Sequence, residues 1–153
     1  MRTIIVLLLF FSAATYSCDA MLGQNFKPFM ESSNFNTKKE PKKPNVNVQV
    51  ERANSFTPSC KQPSFLNIEI ENSAENFNAG YIFKFKGRPI KGISFPEDPV
   101  MSSNNKYFYF IWYESESELK QAIEATIEII AILPNGKKSE PAYIRLTSSS
   151  QYH

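Results

Sequence analysis

An all-β sandwich of antiparallel strands is the fold class this sequence predicts, and three observations predict it. Apolar and polar residues alternate with a period of two in several separate segments downstream of Pro44. Aromatic residues are abundant, with 13 Phe and 7 Tyr in 153 residues, and flat side chains fit a pleated, half-buried surface. The alternating segments follow one another at short spacing without helices between them, which is the pattern of a sandwich or barrel.

The first element precedes that fold. Met1-Arg2 gives a positive start, residues 3–11 (TIIVLLLFF) form an apolar run, and Ser12, Ala13 and Ala14 are small. This order marks a secretory signal, and the run falls short of the ~20 apolar residues that span a bilayer. Residues 1–17 are therefore read as a signal peptide and the protein as exported. Thr15-Tyr16-Ser17-Cys18 resembles a bacterial lipobox, which makes Cys18 a lipidation candidate. Acyl chains buried at ~0.8 kcal/mol per CH₂ would then anchor the chain on a membrane. Alternatively, cleavage after Ala14 leaves Cys18 in the mature chain, free to pair with Cys60 in an oxidising compartment. The expected location is the bacterial cell envelope, lipid-anchored or periplasmic, with secretion as the alternative.

Residues 18–43 read as a flexible linker. They are rich in Asn, Ser, Lys and Pro, and such a segment cannot bury enough apolar surface to offset its ordering entropy. Phe26, Phe29, Met30 and Phe35 interrupt that composition; they dock on the domain or a partner, or lie in a mobile arm. Lys38, Lys39, Lys42 and Lys43 read as a solvated spacer, with contact to anionic lipid as the alternative.

Residues 44–148 carry the strands. Val46, Val48 and Val50 share one face of the first, and Leu66, Ile68 and Ile70 one face of the second. Tyr81, Phe83 and Phe85 oppose Lys84 and Lys86 in the third. Alternation of this kind marks antiparallel strands with one wet face. Residues 107–113 (YFYFIWY) are apolar or aromatic on both faces and 126–133 (TIEIIAIL) nearly so, with Glu128 the exception, so each is central or covered. Residues 142–147 form a last strand, joined to its predecessor across Asn135-Gly136, a pair that accepts positive φ in a tight turn. The helical candidate is Ser115–Ala125 with Ser117 as its cap; its shortness makes a single turn the expectation. Residues 149–153 read as a disordered tail.

The order of segments from Pro44 to Thr147 resembles a fibronectin type III or related immunoglobulin-like domain. Leu66–Ile70 followed by Gly80–Lys86 is similar to that family's second and third strands. Leu119 through Ile132 is similar to its sixth strand and approach, and Ser139-Glu140-Pro141 with Thr147 to its closing strand. The resemblance implies an immunoglobulin-like sandwich; a fold alone does not give a function.

Chemistry is sparse. The one His is His153, the last residue, and a fraying terminus is a poor place for a base or ligand. That removes Ser-His-Asp and Cys-His catalysis within one chain and leaves no His or Cys cluster for zinc. No catalytic residue, metal ligand or cofactor is assigned. Glu97-Asp98 and the trio Glu114, Glu116 and Glu118 read as solvated turn charges. Loss of residues 1–17 removes Arg2 and no carboxylate, so the mature charge is close to balance and no field recruits nucleic acid.

The aromatic strand is the functional lead. Tyr107, Tyr109, Trp112 and Tyr113 are the candidate binding strip. If one face is open, the tyrosines are expected outward because their hydroxyls tolerate water. Otherwise the loop from Arg88 to Asn105 covers it, or both faces are core. The expected function is an exported, non-catalytic binding or structural module that engages a protein partner through a sheet face or edge. The alternative is a carbohydrate-binding module that uses residues 107–113.

Overall fold

The alternating segments become strands in the computed structural model, which describes residues 26–32, 38–53, 56–57, 60–61, 63–102 and 106–149. The signal segment, Cys18 and residues 150–153 lie outside the described residues, as does the side chain of Cys60. The strands are β1 (Phe26–Pro28), β2 (Val46–Glu51), β3 (Phe56–Thr57), β4 (Cys60–Lys61), β5 (Pro63–Ile70), β6 (Gly80–Phe85), β7 (Val100–Ser102), β8 (Tyr107–Tyr113), β9 (Ile123–Ile132) and β10 (Ala142–Ser148). One sheet has the order β1-β7-β6-β9-β10, the other β2-β5-β8, and β3 pairs β4 in a small ribbon. All the pairings are antiparallel. The fold is an all-β sandwich.

The core lies between the two sheets, where alternation places it. Leu66, Ile68 and Ile70 of β5 and Phe108, Phe110 and Trp112 of β8 face Tyr81 and Phe83 of β6 and Ala125, Ile127, Ile129 and Ala131 of β9. Phe83 meets Phe108 at 4.9 Å and Phe110 at 5.4 Å between ring centroids, both edge-to-face, the geometry that ring quadrupoles favour. Burial of its own hydroxyl in this core pushes the Tyr81 pKa up to about 12.

The β6–β7 loop completes this core instead of covering an outer face. Ile90 and Ile93 are buried, and the Phe95 ring lies 4.7 Å from that of Phe110 and 4.6 Å from that of Phe85. A long connection with apolar residues at these positions closes the open flank of the sandwich.

The helical candidate shrinks to α1 (Glu116–Leu119), one turn between β8 and β9. Its cap is Ser115, not Ser117. Ser115 Oγ accepts from the Glu118 amide and the Glu118 carboxylate accepts from the Ser115 amide, a reciprocal capping box. From Ile123 the chain returns to period-two burial and pairs along β10, so tertiary pairing overrides the helical reading over the second half of Ser115–Ala125.

Part of the 18–43 stretch is built into the sandwich. β1 adds to β7 with Phe26 opposite Ser102 and Pro28 opposite Val100. Gly80 has no side chain to occupy the space above it, and the Phe29 ring fills that space: a Cβ at Gly80 would stand 2.6 Å from Phe29 Cγ and Cδ2. The Ser32 amide then donates to the Pro134 carbonyl at 2.8 Å. Ile132, opposite Gly80, is buried along with its chain neighbours Ala131 and Leu133, which explains why this stretch is apolar on both faces. Further on, Asn135 Nδ2 donates to the Lys39 carbonyl at 3.0 Å. Gly80→Ala is expected to overpack the seat, with a cost of about 1–3 kcal/mol. Hydrogen exchange should show faster amide exchange at residues 29–32, with β5 and β9 unchanged.

Candidate binding face

The outer face of the three-stranded sheet follows from its register. Tyr107 lies beside Glu69 and Asn47, Tyr109 beside Asn67 and Gln49, Ile111 beside Phe65 and Glu51, and Tyr113 beside Pro63. Tyr109 and Tyr113 are 44% and 39% exposed, with Tyr107 and Ile111 half-buried between and beside them. The β6–β7 loop does not cover this face, because it packs into the core. Trp112 is a correction to the sequence-based strip. It points to the opposite face with Phe108 and Phe110 and is 2% exposed, so it can touch no ligand.

The upper end of the strip is held by charge. Lys106 Nζ pairs with Glu69 Oε1 at 2.5 Å and lies 5.0 Å from the centre of the Tyr107 ring, within reach of a cation–π attraction. The Tyr107 hydroxyl donates to the same carboxylate at 3.3 Å. The Lys106 contact holds the Glu69 carboxyl below its usual range. Tyr107 and Tyr109 stand 6.2 Å apart with ring planes 26° from parallel. Beside Tyr109, Asn67 Oδ1 has no hydrogen-bond partner among the described residues.

The lower end of the sandwich holds a polar knot that sequence reasoning missed. Arg52, just past β2, and Glu114, just past β8, are both buried. Their side chains meet as a fork, with Nε to Oε2 at 3.2 Å and Nη2 to Oε1 at 2.6 Å. Nη1 donates to the carbonyls of Gln121 and Ser149, and Nη2 also to that of Glu118. Ser64 Oγ donates to Glu114 Oε2 at 2.6 Å and accepts from the Ala53 amide. Glu114 is therefore not a solvated turn charge; it is the anion of this knot. Ser149, in the segment read as a tail, contributes an acceptor to it.

Glu97 and Asp98 are exposed in the β6–β7 loop. Glu118 pairs with Lys91 at 2.6 Å across a groove of about 620 Å³ between that loop and α1. Its carboxyl is held down to about 2 by Lys91 first and by the Ser115 amide second. Among the described residues, no three His, Cys, Asp or Glu side chains converge as metal ligands, and no helix is long and apolar enough to cross a membrane. Comparison with protein-family models, curated proteins and solved structures finds no match for this chain.

Proposed function

We propose that this chain is an exported, non-catalytic binding module of the cell envelope, immunoglobulin-like in build, that engages a protein partner through the outer face of β2, β5 and β8. The observation that carries the reading is the composition of that face. Three tyrosines, Phe65 and Ile111 are interleaved with Asn47, Gln49 and Asn67. Tyr supplies large, stiff contact area at low entropic cost, and amides supply adaptable hydrogen bonds. The immunoglobulin-like reading draws support from topology: an antiparallel three-stranded sheet, β2-β5-β8, packs against a second antiparallel sheet, β7-β6-β9-β10 with β1 added at its edge, and a two-sheet antiparallel build of this kind suits that family. Export and attachment at Cys18 rest on the signal-like first 17 residues and the lipobox-like segment.

Carbohydrate binding is the second reading, favoured by the exposed Tyr109 and Tyr113 rings, whose faces suit stacking on the C–H face of a sugar. Tyr109→Ala and Tyr113→Ala are expected to leave the melting temperature within a few degrees, since both side chains are solvent-facing, and to weaken partner binding by about 30-fold if either ring is a hot spot. Proximity labelling in the source cells, repeated with both variants, tests this. Loss of a specific protein neighbour supports the proposal. Robust binding on a glycan array that the variants abolish replaces it with the second reading.

A further inference from the structure

Backbone groups of the three-stranded sheet alternate in direction, and the end of the ladder fixes the phase. The Ile70 amide donates to the Lys106 carbonyl and the Glu71 amide to the Asn45 carbonyl, both at 2.9 Å. In an antiparallel pair only every second residue exchanges bonds with a given neighbour strand. Even-numbered residues of β5 therefore bond to β8, and odd-numbered ones to β2. Along the register, Phe108, Phe110 and Trp112 spend their amides and carbonyls on β5. Tyr107, Tyr109, Ile111 and Tyr113 aim theirs away from the sheet. The Tyr107 carbonyl accepts from Ser102 Oγ at 2.6 Å, and Gly92 stands beside the Tyr113 carbonyl. Between them, the amides and carbonyls of Tyr109 and Ile111 have no hydrogen-bond partner among the described residues.

Edge strands are ordinarily blunted by shortness, Lys, Pro or a bulge. β8 has none of these: it is seven residues long, uncharged, free of proline and paired with β5 without a break. The other sheet edges are protected. β1 has three residues and ends in Pro28, and β2 and β10 lie against each other along the opposite flank. Open amides and carbonyls in this phase fit another extended strand, and the layout of the edge fits its own copy. The strand is symmetric about Phe110: Tyr109 and Ile111 are open on either side of it, and Tyr107 and Tyr113 are hindered beyond them. Turned antiparallel on itself with Phe110 opposite Phe110, β8 sets open residues against open ones. Tyr109 of each copy meets Ile111 of the other, which uses both open amides and both open carbonyls of each chain. On the outer face Tyr107 meets Tyr113, an aromatic cross-strand pair. The charges at the two ends of β8 are paired within the chain, Lys106 with Glu69 and Glu116 with Lys120, so two copies meet without like-charge repulsion.

We propose that the chain forms a two-fold dimer through its β8 edge, joining two three-stranded sheets into one and making their tyrosine faces continuous. The contact is isologous and closes on itself. It uses backbone groups, so it stands whether or not the tyrosine side chains bind a further protein. The interface is narrow, and its affinity is expected in the micromolar range. The processed chain, held in detergent where it carries acyl groups, is examined by analytical ultracentrifugation and amide hydrogen exchange over an about hundredfold range of concentration. Monomer should give way to dimer, and the Tyr109 and Ile111 amides should slow in step with it, while the Phe108 and Phe110 amides are slow throughout. Ile111→Pro, which removes an edge-facing donor and spares the bonds to β5, should weaken association by about 10-fold or more. Ile111→Lys, which charges the edge, should do the same and decides the matter if the proline variant loses the Trp112 emission of the folded protein. Tyr109→Ala keeps the backbone pairs and should change dimerisation by no more than about 3-fold, even where it abolishes binding of another protein. A monomer at every concentration, a dimer in which the Tyr109 and Ile111 amides exchange as fast as in the monomer, or a folded Ile111→Lys that dimerises as wild type does would each overturn the edge contact.

Discussion

Arg52→Leu is expected to lower folding stability by about 3–5 kcal/mol, because it leaves the Glu114 carboxylate buried and uncompensated. Total stability for a domain of this size is about 5–15 kcal/mol, so the variant should sit close to the unfolding threshold. The guanidinium spends all five of its N–H donors inside the protein: two on Glu114 and one each on the carbonyls of Glu118, Gln121 and Ser149. Those groups come from the end of β8, the α1 turn and the segment after β10, so one side chain ties three chain ends together. Lys cannot replace it. An ammonium has three donors and no planar fork, and Arg52→Lys should recover only a minor part of the loss. The double variant Arg52→Leu/Glu114→Leu should be more stable than the sum of the single losses, since it removes both charges at once. Urea unfolding followed by the fluorescence of Trp112, the one Trp in the chain, gives each midpoint. An Arg52→Leu midpoint equal to wild type would mean that water reaches the guanidinium and that the knot is not closed.

This knot shows where reading the sequence stops. Period-two alternation places Leu66, Ile68 and Ile70, or Phe108, Phe110 and Trp112, on shared faces because neighbouring residues suffice to reveal it. The inner and outer sets of β8 are legible in the same way. Parity alone separates Trp112 from the three tyrosines, so including it in the strip gave aromatic identity more weight than spacing. Charge misleads differently. Glu114 belongs to a run of carboxylates that reads as solvated, and its partner Arg52 lies 62 positions away. Nothing local distinguishes a Glu that meets a distant Arg from one that meets water. Phe29 and Gly80 are a second case. A Gly at the start of a strand reads as a weak position, and only the fold shows that its missing side chain makes room for a ring. Asn76 is a third case: it is buried and bonded through its side-chain amide to the Lys42 backbone 34 positions away, in a segment that the sequence assigns to a linker.

Trp112→Ala is the second large effect, expected at about 3–5 kcal/mol from lost transfer energy and an unfilled cavity. The indole is among the largest fully buried side chains, and a Cβ on Gly92, at φ 88°, would be in ordinary van der Waals contact with it. Trp112→Phe should behave differently. Trp112 Nε1 has no hydrogen-bond partner among the described residues, and a buried donor without an acceptor costs about 1–3 kcal/mol. Phe removes that donor while keeping one ring in place, so its loss of area is offset and the net cost should fall below about 1.5 kcal/mol. Thermal unfolding followed by far-ultraviolet circular dichroism compares the three proteins without relying on indole emission. The pair also separates packing from recognition. If Trp112 acts only in the core, Trp112→Phe binds every partner as wild type does, whereas Tyr109→Ala loses binding at unchanged stability. A Trp112→Phe variant as unstable as Trp112→Ala would show that the indole donor is satisfied after all.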